Sequence, residues 1–302
     1  MSIRGHFVWE ELITTDPSSA AMFYSKIAGI KTEPAPGDPS YTLLVTGAGR
    51  MGGLMTLGAN PKIVSASPIW LSYIGTLNVE ETVRQAESLG GRIIRPSTAM
   101  GDGGRFAILQ DPQGAVFAVY TSPRPYQPPT AVPLRGMSWH ELVTSDMSAA
   151  FPFYQQLFGW HVVNEMDMGP GMGTYRLFGP EGSKDAFGGM YTKPAQQPGP
   201  PAWLPYIKVA NVQAATTTAK RLSAQIMHGP ADVPGGMITI GIDPQGVMFA
   251  LHAAVAAPVP KKKSAPQKKS KPKSRPKARP KSKAKARPKK KVAKTRKAGS
   301  KK

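Results

Sequence analysis

The sequence predicts an α+β fold: two tandem domains, each built as βαβββ–βαβββ, followed by a disordered basic tail. Three observations carry that prediction. Residues 7–30, FVWEELITTDPSSAAMFYSKIAGI, are answered by residues 137–160, MSWHELVTSDMSAAFPFYQQLFGW, at an offset of 130. A turn-plus-strand phrase, DPQGAVFAVY at 111–120, returns as DPQGVMFALH at 243–252. Residues 261–302 hold 22 Lys or Arg and no acid. A period near 130 is too long for a solenoid unit and indicates a duplicated domain.

The elements follow in order. Residues 7–14 read as a strand. Asp16 is a helix N-cap with Pro17 at the first helical position, and the helix stops at Gly29. Three strands are expected next, two of them placed near 41–46 and 50–56. The strand at 69–76 leads to a helix capped by Asn78, with Val79, Val83 and Ala86 at helical spacing and a stop at Gly90-Gly91. Strands near 92–95, 105–110 and 115–121 close the copy. In DPQG, Pro fixes φ and Gly accepts positive φ, so the phrase is a turn before a short apolar strand. The second copy repeats this order. GGLM at 52–55 is answered by GGMY at 188–191, and IWLSYIGTLNVEE at 69–81 by AWLPYIKVANVQA at 202–214. Pro152 falls inside the second copy's first helix, where a kink or early break is expected. The expected boundaries are 1–121, a Pro-rich semi-rigid linker at 122–135, 136–257, and the tail at 258–302.

Charge is segregated. The chain has a net charge of +21, yet residues 1–260 hold 17 basic and 18 acidic groups. There are no cysteines, which excludes disulfides, thiolate metal sites and Cys nucleophiles. No segment is long and apolar enough to span a bilayer. The N-terminal MSIRGHFVWEEL has acids where a signal peptide would be apolar. A cytoplasmic protein is expected, with nucleoid association through the tail. GAGRMG at 47–52 matches a dinucleotide-binding fingerprint only formally, because strand-like and turn-like sequence follows it instead of a helix. It is read as a hairpin.

The order of these motifs, with TTDPSSAAMFY opening the first helix, GG in a central strand and DPQG before the last, resembles the vicinal oxygen chelate superfamily. That group includes glyoxalase I, extradiol dioxygenases and bleomycin resistance proteins. The resemblance covers about 6–121 and 136–254 and implies cup-shaped sheets, with two modules paired as an internal pseudo-dimer. It also implies metal ligands at three positions per domain. Those positions hold Trp9, Leu71 and Ala118 in the first copy and Trp139, Leu204 and Ala250 in the second. None of these six side chains binds a hard or borderline divalent ion, so no metal or other cofactor is expected.

Strand alternation supplies other candidates. Glu11 and Glu141 share a face with Trp9 and Trp139, two residues earlier. Tyr73 and Tyr206 share a face with Leu71 and Leu204, and Tyr120 and His252 follow Ala118 and Ala250 by two. Each cup would then hold an aromatic wall, a carboxylate and a phenol, with His252 added in one. Such a cup suits a flat or cationic organic ligand. A structural role for the aromatics as cup filling, and for the acids as paired core groups, stays open beside it. His140 has the opposite parity and should face the helices or another subunit. His6, His161 and His228 show no ligand spacing.

The tail carries Pro at 266, 272, 276, 280 and 288 and no aromatic residue. It resembles histone-H1-like tails in composition, and its expected partner is the phosphate backbone of DNA or RNA, without base readout. The leading expectation is a small-molecule-binding protein tethered to nucleic acid. The alternatives are a lyase or dioxygenase with relocated ligands, and a nucleoid-associated platform with occluded cups.

Overall fold

The computed structural model describes residues 2–58, 67–101, 103–127 and 131–254. The basic tail and residues 128–130 of the expected linker lie outside that description. The first copy runs β1 (Phe7–Thr14), α1 (Pro17–Ala28), β2 (Lys31–Ala35), β3 (Asp38–Thr46), β4 (Gly49–Thr56), β5 (Ile69–Gly75), α2 (Val79–Ser88), β6 (Arg92–Ala99), β7 (Arg105–Gln110) and β8 (Val116–Thr121). The second runs β9 (Met137–Thr144), α3 (Met147–Phe158), β10 (His161–Asp167), β11 (Thr174–Gly179), β12 (Gly188–Thr192), β13 (Ala202–Lys208), α4 (Val212–Arg221), β14 (Gln225–Val233), β15 (Gly236–Ile242) and β16 (Met248–Ala254). Each copy forms one eight-stranded sheet. The orders are β2-β3-β4-β1-β5-β8-β7-β6 and β10-β11-β12-β9-β13-β16-β15-β14, the same path twice.

Local chemistry sets the helices. Asp16 and Asp146 each take a backbone N–H three residues on, from Ser19 and Ala149, at 3.0 Å. Asn78 and Asn211 do the same for Glu81 and Ala214. Gly29 and Gly159 end α1 and α3 at φ 72° and 71°, a conformation glycine adopts without a Cβ penalty. GAGRMG forms the β3–β4 hairpin, as read.

Three element readings are corrected. β3 begins at Asp38 and β6 extends to Ala99, so both strands outrun their apolar patches. β2 is the third expected strand, left unplaced by the sequence: an exposed edge strand carrying Pro34, a setting that leaves no alternating pattern to detect. Pro152 does not break its helix: α3 is continuous from Met147 to Phe158. Its ring lies on the exposed side. Only the bond to the Ser148 carbonyl is forfeited, and seven buried side chains, among them Phe151, Phe153, Tyr154 and Phe158, hold the helix down.

The two sheets pack helix face to helix face. One core joins Ile74, Val83, Leu109 and Phe117 of the first copy to Phe151, Tyr154, Phe158 and Trp160 of the second. Another joins Leu12, Phe23, Tyr24 and Ile27 to Val212, Ala215, Phe249 and Leu251. Residues 1–257 accordingly form one compact unit, an internal pseudo-dimer in which each half covers the other's helices.

The repeated phrases meet in this interface. The turn aspartate of DPQG, Asp111, uses Oδ1 to accept from the Gln113 and Ala115 amides, at 3.0 and 2.7 Å. Its Oδ2 accepts from Tyr154 OH of the other half at 2.9 Å, and Trp203 Nε1 donates to that phenol at 3.1 Å. Asp243 repeats the arrangement with Gln245, Val247 and Tyr24, whose oxygen accepts from Trp70 Nε1 at 3.2 Å. Burial raises the pKa of both aspartates, while the amides and the phenol pull it back down in part. The phrase thus closes its own sheet and also receives the partner half.

Candidate functional site: two carboxylate–aromatic cups

The opposite face of each sheet turns away from the interface and carries the residues that the resemblance places in a cup. Ladder register sets its lining. In the first copy, β1 pairs with β5 so that Trp9 lies beside Tyr73 and Glu11 beside Leu71. β5 pairs with β8, placing Tyr73 against Ala118. In the second, Trp139 lies beside Tyr206, Glu141 beside Leu204, and Tyr206 against Ala250. Apolar clusters line both cups: Ile13, Leu71, Tyr73, Phe106, Ile108 and Ala118 in one, and Leu204, Tyr206 and Ala250 in the other.

Each cup has a carboxylate on its floor. Glu11 is 4% exposed and accepts from Tyr73 OH at 2.7 Å. Tyr41 OH also bonds to it, and takes a 3.3 Å bond from Trp9 Nε1. Glu141 is 7% exposed and accepts from Tyr206 OH at 3.0 Å and Tyr175 OH at 2.8 Å. Trp139 Nε1 donates to Tyr175 OH at 2.8 Å. The same tetrad, Glu–Tyr–Tyr–Trp, is therefore built twice. Burial raises the pKa of both glutamates above 4.5, and the phenol bonds counter it in part. Each buried acid has the partners that make its burial tolerable.

Tyr41 and Tyr175 escape the repeat comparison because they are offset by 134 residues rather than 130. The shared Tyr-x-Leu at 41–43 and 175–177 is the signal that finds them. The GG pairs explain their placement. A methyl on Gly53 would overlap the Tyr41 hydroxyl, and one on Gly189 would overlap the Tyr175 ring. The second glycine of each pair clears space for the phenol that holds the glutamate.

Of the remaining sequence candidates, Tyr120 lies opposite Phe106 in the ladder and packs in the first cup's apolar cluster. His252 sits half-buried at the second cup's edge with Nδ1 2.9 Å from Ser138 Oγ. Burial, with the Lys208 charge, lowers its pKa below 6.5. Arg95 was not singled out by the sequence. It is buried beside the first cup, 4.4 Å over the Phe106 ring, and its charge acts on Glu11. His140 turns the other way, into the half-to-half interface.

The superfamily's metal positions can be tested on their donor chemistry. Trp9, Leu71 and Ala118, and Trp139, Leu204 and Ala250, present an indole, an isobutyl and a methyl group to each cup. Glu11 and Glu141 are occupied by phenol donors. Among the described residues no three His, Cys, Asp or Glu side chains come together. The cups do not fit the divalent ion that the resemblance implies.

Comparison with known proteins agrees with the architecture. At 27% identity, 80% of the chain matches 92% of "Putative glyoxylase CFP32" of Mycobacterium tuberculosis. At 24% identity, 80% matches 91% of the anthracycline biosynthesis protein DnrV of Streptomyces peucetius. Among solved structures, the Mn(II)-bound glyoxalase of Novosphingobium aromaticivorans superposes with a TM-score of 0.56 at 15% identity, over 84% of this chain and 83% of that one. The model of the Glyoxalase/Bleomycin resistance protein/Dioxygenase superfamily matches residues 4–119 and again 136–251, so the chain belongs to that superfamily as two tandem domains.

Proposed function

We propose that this chain binds small organic molecules in its two cups without a metal, and that its basic tail holds it on nucleic acid. The observation that carries the first part is the duplicated tetrad of Trp9, Tyr41, Tyr73 and Glu11 and of Trp139, Tyr175, Tyr206 and Glu141. A buried carboxyl ringed by phenols and an indole offers stacking surface and a directed acceptor, the pattern of an organic-ligand site. Trp9, Tyr41, Trp139, Tyr175 and His252 are only half-buried at the cup walls, although the glutamates below them are buried. A relative named for the biosynthesis of anthracyclines, which are fused-ring aromatic molecules, is consistent with a stacking ligand.

The second part rests on the segregated charge of residues 261–302. A Lys/Arg/Pro stretch with no aromatic residue offers phosphate contacts and no base stacking. The test of the cups is mass spectrometry of small molecules co-purifying with residues 1–257, together with elemental analysis. An organic ligand without stoichiometric metal is the expected result. One zinc, iron or manganese per domain overturns the metal-free reading and favours an enzyme with relocated ligands.

A further inference from the structure

The two cups share a floor but differ in charge, and the difference lies on the strands farthest from the duplicated tetrad. Arg95 of β6 stands opposite Ile108 in its ladder. At the same register β14 places His228 opposite Ile240, and His228 is exposed. Ile238 stands where the first cup has Phe106, the ring that carries the Arg95 guanidinium. Glu11 therefore has a cation of its own domain acting on it, whereas only phenols bond to Glu141.

The other cations near the second cup are committed elsewhere. Lys208 Nζ donates to the Val132 carbonyl at 2.8 Å. Arg176 is paired with Glu165 at 2.7 Å and lies 5.1 Å over the Phe151 ring. His252 bonds to Ser138, with its acidity set toward the neutral imidazole. Around Glu141 stand Trp139 on its own strand, Tyr175 on β11, Tyr191 on β12 and Tyr206 on β13. The Tyr175 and Tyr191 rings are stacked 6.1 Å apart.

We propose that the second cup is a site for an organic cation of the quaternary or tertiary ammonium class, with Glu141 as counter-ion and Trp139, Tyr175 and Tyr191 as the aromatic wall. Arg95 closes the first cup to the same ligand. The proposal rests on the reading of the cups as ligand sites and assigns each a different charge preference. Its physics is the attraction of a desolvated cation to ring faces and to a carboxylate in a site of low dielectric. In the first cup, Arg95 meets that demand from within the chain and repels a second cation.

The experiment is titration calorimetry of the full chain with trimethylphenylammonium and, separately, with its neutral carbon isostere tert-butylbenzene. One cation per chain is expected, bound at least about ten-fold more tightly than the isostere. Glu141→Gln should remove that preference, and Arg95→Gln should raise the stoichiometry from one to two. Affinity for the cation should fall as the pH drops, because the raised pKa of Glu141 makes the proton a competitor for the carboxylate. Equal binding of cation and isostere, or a cation preference that survives Glu141→Gln, overturns the assignment. Equal binding still leaves the cups as ligand sites, so the two readings fail separately. If neither probe binds, the cation assignment falls, and the co-purified small molecules decide the broader reading.

Discussion

Glu10 and His140 occupy the same position in the two copies, and they bind each other: His140 Nε2 donates to Glu10 Oε1 at 2.7 Å across the half-to-half interface. Ser72 Oγ completes the site with a 2.7 Å bond to Glu10 Oε2, and Phe7 stacks on the imidazole at 3.6 Å. The position lies where the two halves meet, so identical residues there would confront like with like. Two unlike residues make a pair. Removing one partner from a buried pair leaves the other desolvated, so His140→Ala should cost about 3–5 kcal/mol. The double variant Glu10→Leu/His140→Leu should be more stable than His140→Ala. Urea unfolding of the three proteins checks this, and equal losses in the single and double variants would count against it.

Removing either interface phenol should loosen both the turn and the partner half. Tyr154→Phe strips Asp111 of a donor and leaves the Trp203 indole without its acceptor, and Tyr24→Phe does the same to Asp243 and Trp70. Each substitution should cost about 1–3 kcal/mol in thermal or urea unfolding.

Gly53→Ala and Gly189→Ala should act on the cups without touching the glutamates. The added methyl displaces Tyr41 or Tyr175 from its carboxylate. Such overpacking costs about 1–3 kcal/mol, and ligand affinity in the affected cup should fall with it. Tryptophan fluorescence of Trp9 or Trp139, each bonded to the displaced phenol, reports the shift.

The raised pKa of Glu141 has a definite signature in stability. Below the ordinary value of 4.5 both folded and unfolded chains hold the proton. As the pH rises past 4.5 the unfolded chain ionises first, so the folded state binds more protons and loses stability until its own higher pKa is passed. Glu141→Gln removes this loss. Its unfolding midpoint should gain on the parent's as the pH climbs from about 4 to about 8. A constant difference across that range would show that the carboxyl titrates normally.

Binding of the full chain to duplex DNA should be steeply salt-dependent and indifferent to sequence. With about 6–10 phosphates engaged, log K should fall against log salt with a slope near −0.9 per phosphate. Truncation after Ala257 should abolish binding, and scrambling residues 261–302 at fixed composition should change little. Retained binding by the truncated chain would place recognition elsewhere.

Much of this was legible because the chain states its design twice. Caps such as Asp16 and Asn78 announce helix starts through side-chain chemistry that a single residue carries. Strand parity was enough to set Glu11 beside Trp9 and Glu141 beside Trp139. What stayed hidden depends on pairing between strands distant in sequence. Tyr41 reaches Glu11 from β3, two strands away from β1, and only register brings them together. Arg95 comes from β6, the far edge of the sheet. β2 was illegible for a different reason, since an exposed edge strand has no buried face to impose a pattern on its residues.

The helix-to-helix packing of the halves also has a genetic consequence. Neither repeat can be deleted without uncovering the other's helices, so the duplication behaves as a ratchet. Locked together in this way, the two halves can still diverge position by position inside one gene, as paralogues do between genes. The seam keeps Tyr24 and Tyr154, Asp111 and Asp243 identical but sets Glu10 against His140, and the cups keep both Glu–Tyr–Tyr–Trp tetrads. Phe106 and Ile238, Tyr120 and His252, Arg95 and His228 have parted company on and around the cup walls.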